Sequence, residues 1–170
     1  MNSSASDLLD VRRATPDDVP ELAWLLNAII RIGGTTAYET VLGDEDFAGH
    51  FVSGTDVLCC FVAAGRAQPL LFGFQTLSRH SGLPGTSGDI ATFARTEPHL
   101  PGTGSALFER TRREAARLGL EAINATIRAD NAAGLAYYSR IGFEDHAVTR
   151  GVPLSDGTPV DRISKRYLVR

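Results

Sequence analysis

Two short segments of the chain contain residue types that could do chemistry. The first is HLPGTGSALF at residues 99–108, where Gly102 and Gly104 stand one residue apart in front of an amphipathic stretch. Glycines at the start of a helix let a bulky anion reach the unpaired backbone amides and the positive end of the helix dipole. The same spacing also occurs in simple turns, so taken alone it leaves both readings open.

Two familiar anion-binding loops do not fit this segment. A P-loop requires a Lys and then a Ser or Thr after its last glycine, whereas Ser105 and Ala106 follow Gly104. The dinucleotide fingerprint requires a third small residue at position 107, which is Leu107 here. Pro101 also supplies no N–H group inside the segment. Both nucleotide motifs are therefore excluded.

The second segment is NAAGLAYYSRIGF at residues 131–143, which predicts a helix closed by Gly142. Asn131 stands at the N-cap position, and that role is sufficient to explain it. Tyr137 and Tyr138 follow on the same helix. A tyrosine on a helix that faces a sheet commonly belongs to the core, but its hydroxyl can also donate a proton in catalysis.

With ATFARTEP in front of the first segment, the two segments resemble motifs A and B of the GCN5-related N-acetyltransferase (GNAT) family. Within that family the chain is most similar to the phosphinothricin acetyltransferase-like group. His99, Gly102 and Gly104 fall on the family pattern Gln/Arg-x-x-Gly-x-Gly/Ala, with His99 in place of the usual first residue. The resemblance, which runs from about residue 10 to the end, implies acetyl transfer from acetyl-CoA to the amine of a small molecule, such as an amino acid or an analogue.

The resemblance also assigns roles to individual residues. Tyr138, four residues before Gly142, would protonate the departing thiolate, and Tyr137 would be a packing residue. A backbone N–H near Ala94 would stabilise the oxyanion. For Asn131 the resemblance adds a contact to the pantetheine arm. The residues expected to bind acetyl-CoA are Phe93, Ala94, His99, Leu100, Gly102, Thr103, Gly104, Ser105, Asn131 and Tyr138.

The amine must lose a proton before it can attack, so a base is needed. Asp89, five residues before Ala94, matches a carboxylate of the phosphinothricin-type enzymes, and the alternative is a solvated Asp at a strand entrance. Glu39 is the second candidate, in the loop where this fold takes its acceptor. We expect Thr36, Glu39 and Arg79 to contact the acceptor. Arg79 and His80 could hold a substrate carboxylate, or they could simply be solvated.

Two other functions remain open at this point. The first is a non-catalytic acyl-CoA-binding domain that senses the cofactor or regulates a partner, and the second is acetylation of protein N-termini or lysines. Tyr138 favours an enzyme, because cofactor binding requires the glycine segment but not that hydroxyl.

The elements that position these residues fit one domain, because 170 residues with 43% apolar content can form a single core. We expect a disordered tail over residues 1–8 and one domain over residues 9–170. The predicted order β α α β β β α β α β β indicates an α+β (mixed α/β) fold. The resemblance implies the GNAT fold, a mostly antiparallel sheet of about seven strands with four helices, whose strands 4 and 5 splay to hold acetyl-CoA.

Several elements can be predicted in detail. TPDD predicts a helix start with Thr15 as N-cap and Asp18 near the capping-box position. This helix should end at Gly33, and a shorter helix should cover residues 44–51. Three strands between residues 56 and 95 should form an antiparallel meander. Two helices should bury one face each, formed by Val19, Leu22, Leu26, Ile29 and Ile30 in the first and by Leu107, Phe108, Thr111, Ala115 and Leu118 in the other.

Composition excludes further classes. The net charge is −3 and the basic residues are scattered, which argues against a nucleic-acid partner. No apolar run of about 18 residues and no signal-like start are present, so we expect no membrane contact and a cytoplasmic protein. Cys59 and Cys60 should be buried on opposite faces of a strand, and no metal site is expected. The terminal strands would leave a sheet edge, and the family commonly pairs subunits, so we expect a homodimer.

Overall fold

The computed structural model describes residues 5–169. Its helices are α1 (Ala5–Leu8), α2 (Val19–Ile32), α3 (Asp44–Phe51), α4 (Thr103–Arg117) and α5 (Ala132–Arg140), with a 3-10 turn at Pro16–Asp18. Its strands are β1 (Leu9–Arg13), β2 (Val57–Gly65), β3 (Leu71–Ser78), β4 (Ser87–Ala94), β5 (Ala122–Arg128), β6 (Glu144–Pro153) and β7 (Pro159–Leu168). From β1 onward the predicted order of elements is confirmed.

The seven strands form one sheet in the order β1-β2-β3-β4-β5-β7-β6. All neighbours are antiparallel except β4 and β5, which are parallel. These two strands pair only between residues 87–89 and residues 122–124, and beyond that point they separate. The α+β GNAT fold with splayed central strands is therefore confirmed, and the gap between β4 and β5 is the feature that positions the candidate site.

Helices cover both faces of the sheet, and each face has its own apolar core. On one face α2 and α3 pack against β2, β3 and β4, and on the other α4 and α5 pack across the sheet. Cys59 and Cys60 lie in different cores, because successive strand residues point to opposite faces. Both cysteines are buried, as predicted, and desolvation raises the pKa of the Cys59 thiol to about 12.

The first long helix starts through the predicted side-chain contacts. Asp18 accepts hydrogen bonds from the Thr15 backbone N–H at 2.7 Å and from the Thr15 hydroxyl at 3.1 Å. Arg12 of β1 donates two hydrogen bonds of 2.8 Å to the same carboxylate, and these bonds lower the pKa of Asp18. The segment begins as a 3-10 turn and continues as α2, which ends at Gly33 with φ 76°. The chain is thereby anchored before it enters the loop that faces the candidate site.

Some expectations need correction. Leu118 follows the last residue of α4 and is 38% exposed, so it does not belong to the buried face predicted for it. Residues 5–8 of the expected tail form the single turn α1, and residues 1–4 lie outside the described residues. The extent of the domain stays a prediction. None of the described helices is both long and apolar enough to cross a membrane.

Candidate active site

A cavity of about 540 Å³ opens where β4 and β5 separate. Its wall includes the ends of both strands, the segment before α4, the start of α5 and part of the loop after α2. The acceptor residue Thr36 and all ten residues expected to bind acetyl-CoA line it, namely Phe93, Ala94, His99, Leu100, Gly102, Thr103, Gly104, Ser105, Asn131 and Tyr138. The structure thus brings both predicted segments to one cavity.

The segment before α4 leaves several backbone amides free. Gly102 adopts φ 87°, a left-handed conformation that favours glycine, and the helix begins at Thr103. The Thr103 hydroxyl donates to the Leu100 carbonyl at 2.7 Å, which fixes the turn. Within residues 5–169, the N–H groups of Gly102, Gly104 and Ser105 have no hydrogen-bond acceptor. These amides and the helix dipole suit an anionic group such as a diphosphate.

The requirement for glycine at position 104 comes from a neighbouring side chain. A Cβ added to Gly104 would lie 2.6 Å from a ring carbon of Tyr137. Gly104 thus lets α5 approach α4, with the Tyr137 hydroxyl donating to the Gly104 carbonyl at 2.8 Å.

The charged groups on the cavity wall are basic. Arg128, Arg140 and His99 are among its lining residues, and no carboxylate is. Arg128 is neutralised, because it donates hydrogen bonds of 2.8 and 2.6 Å to both carboxylate oxygens of Asp130. Arg140 stacks over the Tyr137 ring at 6.0 Å from its centroid. The residues present therefore fit a polyanionic ligand such as coenzyme A.

Tyr138 lies at the inner end of the cavity with its ring among core residues. Its hydroxyl is 2.9 Å from the Thr92 hydroxyl of β4. Burial raises the pKa of Tyr138. It also raises the pKa of Tyr137, in that case to about 12. Tyr138 therefore stays protonated through the neutral range, as a proton donor to a thiolate must.

Backbone amides of β4 face the gap between the splayed strands. The Arg95 N–H donates to the Phe72 carbonyl at 2.7 Å, on the β3 side. Because hydrogen-bonding direction alternates along an antiparallel strand, the N–H groups of Thr92 and Ala94 point the other way, toward β5. The β5 strand has already separated from β4 at this level. This geometry makes the Ala94 N–H available to a carbonyl oxygen in the cavity.

Asp89 lies where β4 and β5 last pair, opposite Asn124. One of its carboxylate oxygens accepts a hydrogen bond of 2.7 Å from the Asn124 side-chain amide. Desolvation raises the pKa of Asp89, while that hydrogen bond and the nearby His80 oppose the rise. Asp89 itself is not among the residues that line the cavity, so a proton could reach it from there only through water. Its role as a base stays a prediction.

Side chains from distant parts of the chain hold the loop over residues 33–43. Asn131 caps α5 by accepting from the Gly134 N–H at 2.9 Å, as predicted, and it also donates to the Thr35 carbonyl at 2.8 Å. The amide of Asn27 bonds the backbone of Leu42 through both its oxygen and its nitrogen. These two bonds use one hydrogen of Nδ2 and one lone pair of Oδ1, so the Asn131 amide retains one donor and one acceptor, and its contact with a pantetheine arm stays a prediction.

Two of the predicted acceptor residues do not reach the cavity. The carboxylate of Glu39 accepts hydrogen bonds from the backbone N–H and the hydroxyl of Ser155, at 2.9 and 2.8 Å, and so ties the loop to the β6–β7 turn. Arg79 and His80 line a separate pocket of about 410 Å³. The structure therefore gives Glu39 a role in holding the loop and brings neither Glu39 nor Arg79 to the cavity.

Several residues that line the cavity, and one residue behind its wall, were not predicted from the sequence. The missed lining residues include Thr92, Tyr38 and Arg140, and Gln75 lies behind them with its side chain fully buried. Arg140 had a usable signal, because it belongs to the YSRIGF stretch that follows Tyr137. Thr92 and Gln75 had none, since a single polar residue in a strand gives no indication of which hydroxyl it contacts.

The comparisons with known proteins agree with the fold. No family model and no curated protein sequence matches the chain. A GCN5-related N-acetyltransferase from Kribbella flavida is 19% identical with a TM-score of 0.82, and the match covers 96% of this chain and 99% of that one. A phosphinothricin acetyltransferase from Sinorhizobium meliloti, solved in complex with acetyl-CoA, is 17% identical with a TM-score of 0.82 over 95% and 89%.

A third solved structure, a ribosomal-protein-alanine N-acetyltransferase from Brucella melitensis, is 20% identical with a TM-score of 0.79 over 94% of this chain and 99% of that one. Two of these names specify different acceptors, phosphinothricin and ribosomal-protein alanine, while the matches cover nearly the whole of each chain. The chain therefore has the fold of the GCN5-related N-acetyltransferases.

Proposed function

We propose that the chain is an acetyl-CoA-dependent N-acetyltransferase that acts on the amine of a small molecule, such as an amino acid or an analogue. One observation carries the proposal. A single cavity between splayed strands joins the free amides at the start of α4 to the hydroxyl of Tyr138. The first group suits a diphosphate and the second a departing thiolate, which are the two ends of a coenzyme A thioester.

Each residue then has a defined task. The amides of Gly102, Gly104 and Ser105 bind the diphosphate, with Arg140 and His99 nearby. Acetyl-CoA supplies an acetyl group activated as a thioester. The N–H of Ala94 stabilises the negative charge that develops on the acetyl oxygen. As the amine nitrogen bonds to the acetyl carbon and the carbon–sulfur bond breaks, Tyr138 gives its proton to the sulfur and Asp89 takes the amine proton through water.

The contacts that hold the loop over residues 33–43 support a small acceptor. This loop contributes Thr36 and Tyr38 to the cavity wall, and it is held by Asn27, Asn131 and the Glu39–Ser155 contact. A loop held at several points is expected to resist displacement. An extended peptide would require that loop to move, so acetylation of protein N-termini is the less favoured alternative.

A panel assay tests the proposal. The protein is incubated with acetyl-CoA and a mixed panel of amino acids, their analogues, antibiotics and peptides, and thiol release is followed together with mass analysis of the products. We expect a gain of one acetyl group on a small amine. Acetyl-CoA binding without acetylation of any amine would favour the non-catalytic sensor instead, and acetylated peptides alone would favour the protein-modifying alternative.

A further inference from the structure

A buried polar chain connects the glycine segment to Tyr138. It starts at the Gly104 carbonyl, which accepts from the Tyr137 hydroxyl at 2.8 Å. Gln75 of β3 comes next, with its Nε2 3.3 Å from the Tyr137 oxygen and 2.8 Å from Thr92 Oγ1. Thr92 then contacts the Tyr138 hydroxyl at 2.9 Å. The direction in which each member of this polar chain donates decides where the Tyr138 proton points.

The direction is fixed at the Gly104 end. A carbonyl can only accept, so the single proton of the Tyr137 hydroxyl is used in that bond. The Tyr137 oxygen must therefore accept from Gln75, which requires the nitrogen of the Gln75 amide, and not its oxygen, to face the hydroxyls. This orientation leaves Gln75 Oε1 buried without a hydrogen-bond partner among the described residues. An unpaired buried acceptor is costly, so the two hydrogen bonds donated by Gln75 Nε2 must offset that cost for this orientation to persist.

The same amide nitrogen sets the direction at Thr92. Because Gln75 Nε2 donates to Thr92 Oγ1, the Thr92 proton is left for a tyrosine oxygen. Thr92 lies near both hydroxyls, but the Tyr137 oxygen already accepts from Gln75, whereas the Tyr138 oxygen lies 2.9 Å from Thr92 Oγ1 in hydrogen-bond geometry. The Tyr138 oxygen then accepts from Thr92, and its own proton is free to point into the cavity. In the opposite amide orientation, Gln75 Oε1 would face Thr92 and accept its proton. Tyr138 would then donate its own proton to Thr92 Oγ1 and not toward the cavity.

We infer that Gln75 is a positioning residue that acts through Thr92 to direct the Tyr138 hydroxyl proton toward the cavity. The inference rests on the proposed function, because it assigns this proton to the departing thiolate. Gln75 touches neither that thiolate nor the amine, so its effect is indirect. Each bond that donates toward Tyr138 also stabilises the phenolate formed when the proton leaves, which makes proton transfer easier.

The test compares Gln75→Met and Thr92→Val with Thr92→Ser and Thr76→Val. Gln75→Met removes the donor, Thr92→Val removes the hydroxyl, and Thr92→Ser retains it. Thr76→Val is the matched control, because Thr76 is a buried β3 residue whose hydroxyl contacts the Phe51 and Cys59 carbonyls instead. We expect about a tenfold loss of kcat in the first two variants, as for one lost hydrogen bond, with acetyl-CoA affinity within about threefold of wild type. Thr92→Ser should retain most of the rate.

Two readouts separate positioning from simple loss of packing. In a Tyr138→Phe background, Thr92→Val should cause no further loss of kcat, because the relay acts only through the Tyr138 hydroxyl. A full multiplicative loss in the double variant would overturn the inference. The second readout needs no turnover. In protein carrying tyrosine labelled with ¹³C at the ζ carbon, the Tyr138 resonance should shift in Gln75→Met and Thr92→Val but not in Thr76→Val.

The labelled-tyrosine spectrum also distinguishes the two proposals. If the Tyr138 resonance moves as expected while the wild-type protein acetylates no amine, the relay stands and the proposed function fails. If the wild type acetylates an amine but the Tyr138 resonance is the same in all variants, the function stands and the relay is wrong.

Discussion

The two adjacent tyrosines of α5 differ in what their hydroxyls contact. Tyr137 donates to the Gly104 carbonyl, whereas Tyr138 reaches the cavity beside Thr92. We therefore predict that Tyr138→Phe lowers kcat about 10²–10⁴-fold and leaves acetyl-CoA binding nearly intact, because only the proton donor is lost. Steady-state kinetics and a binding titration measure both quantities.

Tyr137→Phe is the control for that substitution. It removes one hydrogen bond to α4 and the acceptor that orients Gln75, so kcat should fall by about tenfold at most, far less than in Tyr138→Phe. A large kcat loss in Tyr137→Phe, with Tyr138→Phe close to wild type, would place the proton donor one residue earlier in the chain.

Ionisation of Asp89, where β4 and β5 separate, should be visible in the pH dependence of the reaction rate. Burial raises the pKa of Asp89, so its basic form is lost at a higher pH than for an ordinary Asp as the solution is acidified. For the wild type under saturating acetyl-CoA, we predict a rate that rises with pH through an apparent pKa below that of the free substrate amine, which for an aliphatic amine is about 10.4.

In Asp89→Asn this inflection should move up toward the pKa of the amine itself, and the rate at high pH should be largely restored, because the amine is then already neutral. A variant with the wild-type profile would show that Asp89 only pairs with Asn124 where the strands part and does not act as the base. A uniform rise in the acceptor KM with an unchanged profile would instead assign Asp89 to holding the ammonium group.

Individual residues were predictable where a local pattern identifies them. The glycines, His99 and Tyr138 belong to contiguous segments, and they all line the cavity. Glu39 was placed in the acceptor site because of its loop, but its carboxylate bonds Ser155, which is 116 positions away in the chain. Only tertiary structure brings such pairs together, so no local pattern could have indicated this contact. The same reason explains why Gln75 and Thr92 were missed.

At the scale of elements, α4 and α5 meet where the Tyr137 ring packs against Gly104. A methyl group at Gly104 would lie 2.6 Å from the Tyr137 ring and would push α5 away from α4. We predict that Gly104→Ala lowers the free energy of unfolding by about 1–3 kcal/mol, as for an overpacked core, and weakens acetyl-CoA binding. Chemical denaturation and a binding titration measure these effects.

Gly49→Ala in α3 is the matched control for that substitution. A Cβ there would meet no atom within 4 Å, and the residue is exposed within a helix. The change should therefore stabilise the protein, by about 0.5–1 kcal/mol. If Gly104→Ala proves as harmless as Gly49→Ala, the packing of Tyr137 on Gly104 does not constrain the helices.

The helices and strands were predictable because their periodic apolar patterns are strong. The bounds of α3 match the expectation, and α2 ends at the predicted Gly33. Leu118 was misassigned because the helical spacing of apolar residues in the sequence extends to Leu118, whereas α4 ends at Arg117. The separation of β4 from β5 could not be read from composition, since it depends on where two strands stop pairing, and it was expected only through the family resemblance.

For the whole molecule, acetyl-CoA should raise the melting temperature, because a ligand that binds only the native state stabilises it by mass action. At about 100 times Kd the gain is about 2.7 kcal/mol, or roughly 5–10 °C for a domain of this size. Differential scanning fluorimetry measures the shift, with acetylpantetheine, which lacks the diphosphate, as the control. The absence of any shift at millimolar acetyl-CoA would exclude both the enzyme and the sensor.

The edge of the sheet leads to a prediction about assembly. All residues of β6 except Val152 are exposed, and β6 is the terminal strand of the sheet. An exposed edge strand leaves backbone groups unpaired, and a second copy of the chain can cover it. We predict a homodimer by sedimentation at micromolar concentration. A monomer mass across the concentration range would show that β6 faces solvent in the native protein.

The short seam between β4 and β5 has a dynamic consequence. Only residues 87–89 and 122–124 join the two halves of the sheet there, and beyond them the Thr92 and Ala94 amides lack a strand partner. Local opening should therefore be easiest along this seam, and its amide protons should exchange with solvent deuterium sooner than those of β2 and β3. A ligand lying in the gap would take the place of the missing strand. The amide protons that the ligand protects from exchange should then be concentrated in residues 90–94 and 125–128. The sheet would therefore become mechanically continuous only in the complex.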